Sequence, residues 1–247
     1  MATQSTEDVR FDVTHDEAVS DVVVAGFSQF GLAGLTAVDY LVEQLDLEQT
    51  GHIVAQDLPS ITPFSDGAPR YSTRLLSRDD LNLTVLMSEL FVPTWAAKPF
   101  ARAVLDWTET NAVEEVAVLS GVPVPHGPED HRTFYVATED YRRERFDESE
   151  VPPMANGFLD GVNAALVERG MDSSLAVGVY VTPVHAQAPD VEAALNLLDA
   201  VSTVYDLDLD TAPLEEFAER VGRYYTELAE RLDSVPERDT PDDRMYM

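Results

Sequence analysis

The sequence predicts an α/β fold whose mostly parallel sheet is covered by helices on both faces. Short continuous apolar runs recur along the 247 residues, and a run such as Val22–Phe27 is typical of a strand buried on both faces. Between these runs lie segments whose apolar residues are spaced by three and four, the spacing of amphipathic helices. Buried strands that alternate with such helices indicate a parallel sheet between two helical layers.

The first half of the chain contains four predicted strands and two predicted helices. Residues 1–20 are polar and form either a loose N-terminal arm or an edge segment. After Val22–Phe27 the apolar spacing predicts a helix. This helix covers 31–45. The remaining predicted elements are strands at 52–57, 71–76 and 81–87, a loop rich in Pro, Ser and Gly at 59–69, and a helix at 94–111.

The second half continues the alternation, and we predict one domain over residues 21–232. Gly170 is expected to stop the helix that precedes it, because glycine favours the left-handed conformation that ends helices. In the last helix, Thr211 can cap the N-terminus and Pro213 suits the first turn. The predicted elements are strands at 115–120, 133–138 and 175–181, a charged piece at 141–150, and helices at 156–169, 191–201 and 211–232.

The chain changes character after Leu232. Residues 233–247 are rich in Pro and charge and predict a flexible acidic tail, which closes with Met245-Tyr246-Met247. Tyr246 offers a rigid ring with a hydroxyl, Met245 a deformable apolar plug, and Met247 a free carboxylate. Because terminal carboxylates are commonly captured by binding pockets, we expect these three residues to dock into a partner.

The charge balance excludes some function classes. Sixteen basic residues face 46 acidic ones, the net charge is -30, and Lys98 is the single lysine. Such a surface resembles that of proteins from salt-in halophilic archaea. It argues against nucleic acid as a partner, since affinity for phosphates comes from Lys and Arg.

The chain also lacks features that place a protein outside the cytoplasm. There is no cysteine, no apolar run near the roughly 20 residues that span a bilayer, and no signal peptide at the N-terminus. We therefore expect a cytoplasmic protein that has no membrane partner.

A glycine segment between the first buried strand and its helix is a possible ligand loop. Gly26, Gly31 and Gly34 lie where backbone amides and a helix dipole can hold an anion, and Asp57 follows the next strand. The segment matches neither the Walker pattern nor the dinucleotide pattern. A tight turn with close helix–sheet packing is the simpler interpretation.

The loop at 126–131 and Ser120 are two further candidates for a chemical role. The loop at 126–131 holds two histidines and two carboxylates, but a Pro/Gly loop leaves their directions undetermined, so we predict a hydrated surface loop and no metal site. Ser120 follows a strand without the Gly-x-Ser-x-Gly elbow of serine hydrolases. We therefore predict neither catalytic residues nor a cofactor.

With these residues identified, the chain resembles the archaeal PAC2 family, the proteasome assembly chaperone 2 group. The resemblance covers residues 21–209 and depends on the order of its motifs. They are Val24-Ala25-Gly26-Phe27 with Gly31, Gly34 and Tyr40-Leu41, then Asp57-Leu58-Pro59, Leu119-Ser120-Gly121-Val122-Pro123 and the glycine strand around Gly178.

The resemblance implies a phosphorylase/hydrolase-like α/β fold without catalytic residues, homo-oligomers and association with the 20S proteasome. The terminal Met245-Tyr246-Met247 fits the hydrophobic-Tyr-any pattern that proteasome activators insert between α-ring subunits, with Met in place of the commoner branched or aromatic residues. The leading hypothesis is an assembly chaperone or an ATP-independent activator. The alternatives are a nucleoside phosphorylase/hydrolase-like enzyme, with a site around residues 26–34, Asp57 and 126–131, and a small-molecule-binding protein.

The halophile interpretation predicts that the fold depends on salt. Repulsion among the acidic groups is screened within about 3 Å at 1 M salt and over longer distances in dilute buffer. We expect the melting temperature to fall as KCl is lowered below about 1 M. Circular dichroism measures the melting temperature. A melting temperature that stays constant down to dilute buffer would contradict this interpretation.

Overall fold

The computed structural model describes residues 9–17, 19–185 and 189–233. The chain divides into two compact units, Met1–Asp210 and Thr211–Met247, and each is described here by itself. The first unit contains the sheet and its flanking helices. The described part of the second unit is the helix α6, Ala212–Asp233.

The elements of the first unit alternate as the apolar pattern predicts. The strands are β1 (Phe11–His15), β2 (Val22–Phe27), β3 (Glu48–Ala55), β4 (Phe64–Ser65), β5 (Ala68–Pro69), β6 (Thr73–Ser77), β7 (Thr84–Ser88), β8 (Glu115–Val122), β9 (Phe134–Ala137) and β10 (Ala176–Pro183). The α-helices are α1 (Ala33–Gln44), α2 (Thr94–Thr110), α3 (Glu139–Tyr141), α4 (Gly161–Met171) and α5 (Val191–Tyr205). Short 3₁₀ turns cover Phe30–Leu32 and Pro128–Asp130, and a π-turn covers Arg142–Phe146.

Among the described residues, the central sheet has eight strands in the order β1-β3-β6-β7-β2-β8-β10-β9. The inner neighbours β7, β2, β8 and β10 run parallel, with Val24 opposite both Val85 and Ala117. The outer pairs on both sides are antiparallel. The sheet is therefore mixed, with parallel strands at its centre, and β4 and β5 form a separate small hairpin.

Helices cover both faces of the sheet, which confirms the predicted α/β class. Helices α1 and α5 contact each other and the central strands on one face, and α2 contacts α4 on the other. The face toward α2 and α4 carries an apolar core cluster, in which Val23, Phe27 and Val118 pack against Phe100 and Leu166. Every residue of β2 is buried, as expected for a strand covered on both sides.

On the opposite face, α1 lies unusually close to the strands because two glycines face each other. A Cβ atom on Gly26 would lie 2.5 Å from Cγ2 of Val38 and would overlap the carbonyl oxygen of Gly34. A Cβ atom on Gly34 would overlap the carbonyl oxygen of Leu119 in β8. The helix backbone thus rests directly on β2 and β8, which fixes where the β2–α1 loop emerges.

Most predicted elements are confirmed, and the exceptions have local reasons. Residues 1–20 contain the edge strand β1, which pairs antiparallel with β3, so the edge alternative was the right one for this part. Strand β3 begins at Glu48 rather than at 52, because its first half is polar and joins β6 through a bulge near Gln49. The loop at 59–69 contains the hairpin β4–β5.

The prediction for α4 was wrong at both ends. The helix begins at Gly161 rather than at 156, since Gly161 has a φ of +56°, a left-handed value that a helix interior excludes. It continues through Gly170 to Met171. Gly170 is buried where a Cβ atom would lie 2.6 Å from Cγ2 of Val177, so it serves packing against β10 and does not stop the helix.

None of the helices in the described ranges is both long and apolar enough to cross a membrane.

The contact between α1 and the sheet predicts a strong effect of one methyl group. We expect Gly34→Ala to lower the free energy of unfolding by at least the upper end of the about 1–3 kcal/mol typical of overpacking, because the obstacle is the β8 backbone rather than a movable side chain. Chemical denaturation measures it. Gly127→Ala is the matched control, since nothing lies within 4 Å of its Cβ position. Equal stability of the two variants would contradict the proposed contact.

Candidate functional site

A cavity of about 800 Å³ opens at the carboxyl ends of the central parallel strands. Its wall is built by the loops that follow β2, β7 and β8 and by the start of α4. The helices that follow β2 and β7 lie on opposite faces of the sheet, so these neighbouring strands form a topological switch point. Open α/β sheets bind ligands in the crevice outside such a point, and this cavity is therefore the candidate site.

Three hydrogen-bonding side chains meet inside the cavity. The Ser120 hydroxyl donates to Oε1 of Gln29 at 3.1 Å and accepts from Nδ2 of Asn163 at 2.7 Å. Nδ2 of Asn163 also donates to Oε1 of Gln29 at 3.0 Å. Ser120 and Asn163 are buried, so the three groups satisfy one another away from solvent.

This polar cluster lacks the parts of a nucleophilic site. The partners of Ser120 are two amide side chains and, at 3.5 Å, the carbonyl oxygen of Gly121, none of which can take its proton. Asp160 is the charged side chain among the described residues that line the cavity. The arrangement can hydrogen-bond an uncharged polar group, but it offers no general base for Ser120.

The rim of the cavity is aromatic and exposed. Phe30, Phe91 and Phe158 line its mouth, and Phe158 is 99% exposed. Val124 is a further exposed apolar residue on the same wall. We call these four residues the apolar rim. Large apolar side chains gathered around one opening mark an interaction surface more often than isolated ones do.

The structure separates the residues of the predicted ligand loop. Gly31 lines the cavity, with a left-handed φ of +65° and its carbonyl oxygen accepting from the N–H of Asp190 at 2.8 Å. Gly26 and Gly34 lie in the contact between α1 and the sheet. Asp57 is exposed after β3 and does not line the cavity.

Glycines also position the loop against β8. A Cβ atom on Gly121 would lie 2.7 Å from the carbonyl oxygen of Phe30 and 2.6 Å from Cγ1 of Val184. The Ser120-Gly121 step identified in the sequence therefore has two structural tasks. It places a hydroxyl in the cavity and lets the β2–α1 loop pass close to the strand.

Beside the cavity, three histidines come together from two loops. His126 and His131 belong to the loop at 126–131, and His185 follows β10. One ring nitrogen from each lies within 4.8 Å of the others. The sequence pointed to the first two. It gave no signal for His185, which the pairing of β8 with β10 brings beside them.

Asp190 anchors this histidine cluster. Its Oδ2 lies 2.8 Å from Nδ1 of His185, and its Oδ1 caps α5 by accepting from the N–H of Ala193 at 3.0 Å. Burial alone would raise the pKa of Asp190. The hydrogen bonds from the backbone N–H groups of His185 and Ala193 and from the His185 ring outweigh burial, so the pKa lies below its ordinary value.

The predicted docking residues Met245, Tyr246 and Met247 lie outside the described residues.

Comparisons with known proteins identify a family model and several structural relatives. A family model described as the PAC2 family matches residues 23–229. Among solved structures, Pyrococcus furiosus PbaA, an archaeal homologue of proteasome-assembly chaperone, has a TM-score of 0.81 at 18% identity, with 91% of this chain and 93% of that chain covered. Pyrococcus furiosus PbaB, an archaeal proteasome activator, has a TM-score of 0.75 at 16% identity, with 89% and 99% covered.

An uncharacterized protein of Methanocaldococcus jannaschii is 20% identical over 216 residues, which is 87% of this chain and 88% of that protein. The structural likenesses establish the fold, and the family model extends over most of the sequence, from β2 into α6. The chain therefore belongs to the PAC2 family.

Proposed function

We propose that this protein is a non-catalytic, cytoplasmic partner of the proteasome, acting as an assembly chaperone or an ATP-independent activator. The observation that carries the proposal is membership of the PAC2 family, whose fold the chain shares with PbaA and PbaB over about nine-tenths of its length. Those two relatives are described as a homologue of proteasome-assembly chaperone and as a proteasome activator. The net charge of -30 supports a partner other than nucleic acid.

The finer part of the proposal concerns the C-terminus. With Met247 as the terminal residue, the segment Met245-Tyr246-Met247 enters the 20S α-ring between subunits. The apolar plug and aromatic ring fill a small pocket while the carboxylate meets a cation at its base. Residues 234–244 act as the tether, and a loose chain of that length has an average reach of about 20 Å.

A single anchor of three residues binds weakly, so the proposal includes a homo-oligomer. Several tails on one assembly engage the α-ring together and raise the avidity by about 10²–10⁴ when the tethers span the pockets. The apolar rim supports contact between copies. At a net charge of -30, two copies repel each other over most of their surface, and this repulsion is reduced at an apolar patch whose described lining includes one carboxylate, Asp160.

The tail hypothesis predicts a binding defect without a folding defect. We expect deletion of Met245 to Met247 to abolish co-sedimentation with 20S particles in high salt, with an unchanged melting curve. Tyr246→Ala should weaken binding, and a Gly-Ser extension after Met247 should do the same, because it moves the carboxylate away from its pocket. Asp242→Ala, which alters the tether alone, is the control. Full binding by the truncated protein would refute tail docking.

The oligomer hypothesis predicts that the apolar rim holds copies together. Burial of a phenylalanine side chain contributes about 1.5–3 kcal/mol, so we expect Phe158→Ser to weaken self-association at least tenfold in sedimentation velocity. Phe64→Ser is the matched control, since Phe64 is 74% exposed and lies away from the cavity in β4. A wild-type monomer at every concentration, or an oligomer unaffected by Phe158→Ser, would count against it.

The cavity favours the small-molecule-binding alternative over the enzyme alternative. Its volume is within the range of small-molecule sites, and it lies where open α/β sheets bind ligands. The same position is compatible with the proposed phosphorylase/hydrolase-like fold relationship. The proposed enzyme residue Asp57 and the histidines lie outside the lining of the cavity, and Ser120 has no base among its partners in the described part of the chain. Native mass spectrometry of the purified protein would reveal a ligand that stays bound.

A further inference from the structure

We infer that His126, His131 and His185 form a binding site for a divalent transition metal ion, with Zn²⁺ the best match to three imidazole ligands. The site goes beyond proteasome binding and does not depend on it. It replaces the interpretation of the loop at 126–131 as a hydrated surface loop.

The three rings lie close to one another. The ring centroid of His126 lies 4.9 Å from that of His131 and 5.0 Å from that of His185. The centroids of His131 and His185 are 5.6 Å apart. The ring planes are inclined to one another by 28°, 59° and 77°, so the cluster is not a simple stack. Three rings from two loops bring one nitrogen each within 4.8 Å of the others, which is a grouping that imidazole ligands of a metal require.

Hydrogen bonds orient two of the rings for metal binding. Nδ1 of His126 lies 2.8 Å from the carbonyl oxygen of Val124, and Nδ1 of His185 lies 2.8 Å from Oδ2 of Asp190. Both acceptors require the proton on Nδ1, which leaves the lone pair of Nε2 free in each neutral ring. A histidine that donates to a carbonyl or carboxylate through one nitrogen and binds metal through the other is the common second shell of metal sites.

His131 supplies an independent observation. Its side chain is only 7% exposed, and its buried Nε2 has no hydrogen-bond partner among the described residues. Oδ2 of Asp190 lies 3.9 Å from this atom, too far for a hydrogen bond. A buried polar atom without a partner costs about 1–3 kcal/mol, and a metal ion bound to Nε2 removes that cost.

The distances fit a site that contracts on binding. Zn–N bonds of 2.0–2.1 Å in a tetrahedral site place ligand nitrogens about 3.3 Å apart. The nitrogens here lie within 4.8 Å of one another, so they must approach by up to roughly 1.5 Å. His185 can supply much of this movement, because its side chain is 71% exposed.

The donor atoms also select among metals. Imidazole nitrogen suits Zn²⁺, Co²⁺, Ni²⁺ and Cu²⁺, whereas Mg²⁺ and Ca²⁺ prefer oxygen. This difference matters in a chain with 46 acidic residues, whose carboxylates bind hard cations weakly at many places. Binding that survives excess Mg²⁺ therefore reports the histidines and not the acidic surface.

A metal here would connect the loops beside the cavity. His126 lies two residues after Val124 of the apolar rim, and Asp190 donates its N–H to the carbonyl oxygen of Gly31. An ion held by the three histidines would cross-link the ends of β8 and β10 with the loop before β9. Its role would be structural, and it would raise stability by binding the folded state alone.

The test uses the full-length, untagged protein, stripped of metal with a chelator and kept in high KCl with excess Mg²⁺. Titration with Co²⁺ should give one equivalent with the visible absorption of a nitrogen-ligated ion, and Zn²⁺ should displace it. We expect His126→Gln and His131→Gln to lower the affinity at least about a hundredfold, since loss of a ligand exceeds the 10–100-fold cost of losing a second-shell partner. Asp190→Asn, which retains an N-cap for α5, should fall within that smaller range.

His52→Gln is the matched control, because His52 stacks on Tyr71 away from the cluster. The Co²⁺ affinity of this variant should equal that of the wild type. If His131→Gln does not fold, His185→Gln provides the same test at an exposed position. The inference is overturned by the absence of a Co²⁺ spectrum, by displacement of the ion by Mg²⁺, or by variants that bind as tightly as the wild type.

Discussion

The backbone contact between α1 and the sheet is the constraint on which the rest of this structure depends. Gly26 and Gly34 carry no side chains, so the helix rests on β2 and reaches the carbonyl oxygen of Leu119 in β8. That close approach fixes the exit of the β2–α1 loop and brings Gln29 within hydrogen-bonding distance of Ser120. The cavity forms because the glycines let the β2–α1 loop and the strand ends meet. The glycines therefore serve packing in this chain.

The sequence was informative where one residue type has one physical use. The continuous apolar run of β2 predicted a strand buried on both faces, and its bounds are confirmed. It was less informative where a residue has two uses. Gly170 reads as a helix stop, yet it lies inside α4 against Val177, and only the packed structure distinguishes these roles. The charged piece at 141–150 gave no sign that Arg145 would pair with buried Glu115 through bonds of 2.7–3.1 Å.

The same limit applies to the candidate site. The sequence indicated the glycine loop, the Ser120-Gly121 step and two histidines, because each is a local pattern. Asn163 and His185 carry no local signal, and they join the cavity and the histidine cluster through tertiary contacts. Asp57 follows β3 and is exposed, and it lies outside the lining of the cavity. Side chains that assemble a site from distant segments are what a single sequence conceals.

Among the described residues of this PAC2 body, the partners of Ser120 include no general base, and we propose that a terminal segment engages the partner. In this proposal the last three residues, and not the cavity, make the contact with the proteasome. Cryo-electron microscopy of the full-length protein mixed with 20S particles in high salt tests this most directly. The account predicts density for Met245-Tyr246-Met247 between neighbouring α-subunits. A complex held by the folded body, with those inter-subunit pockets empty, would contradict it.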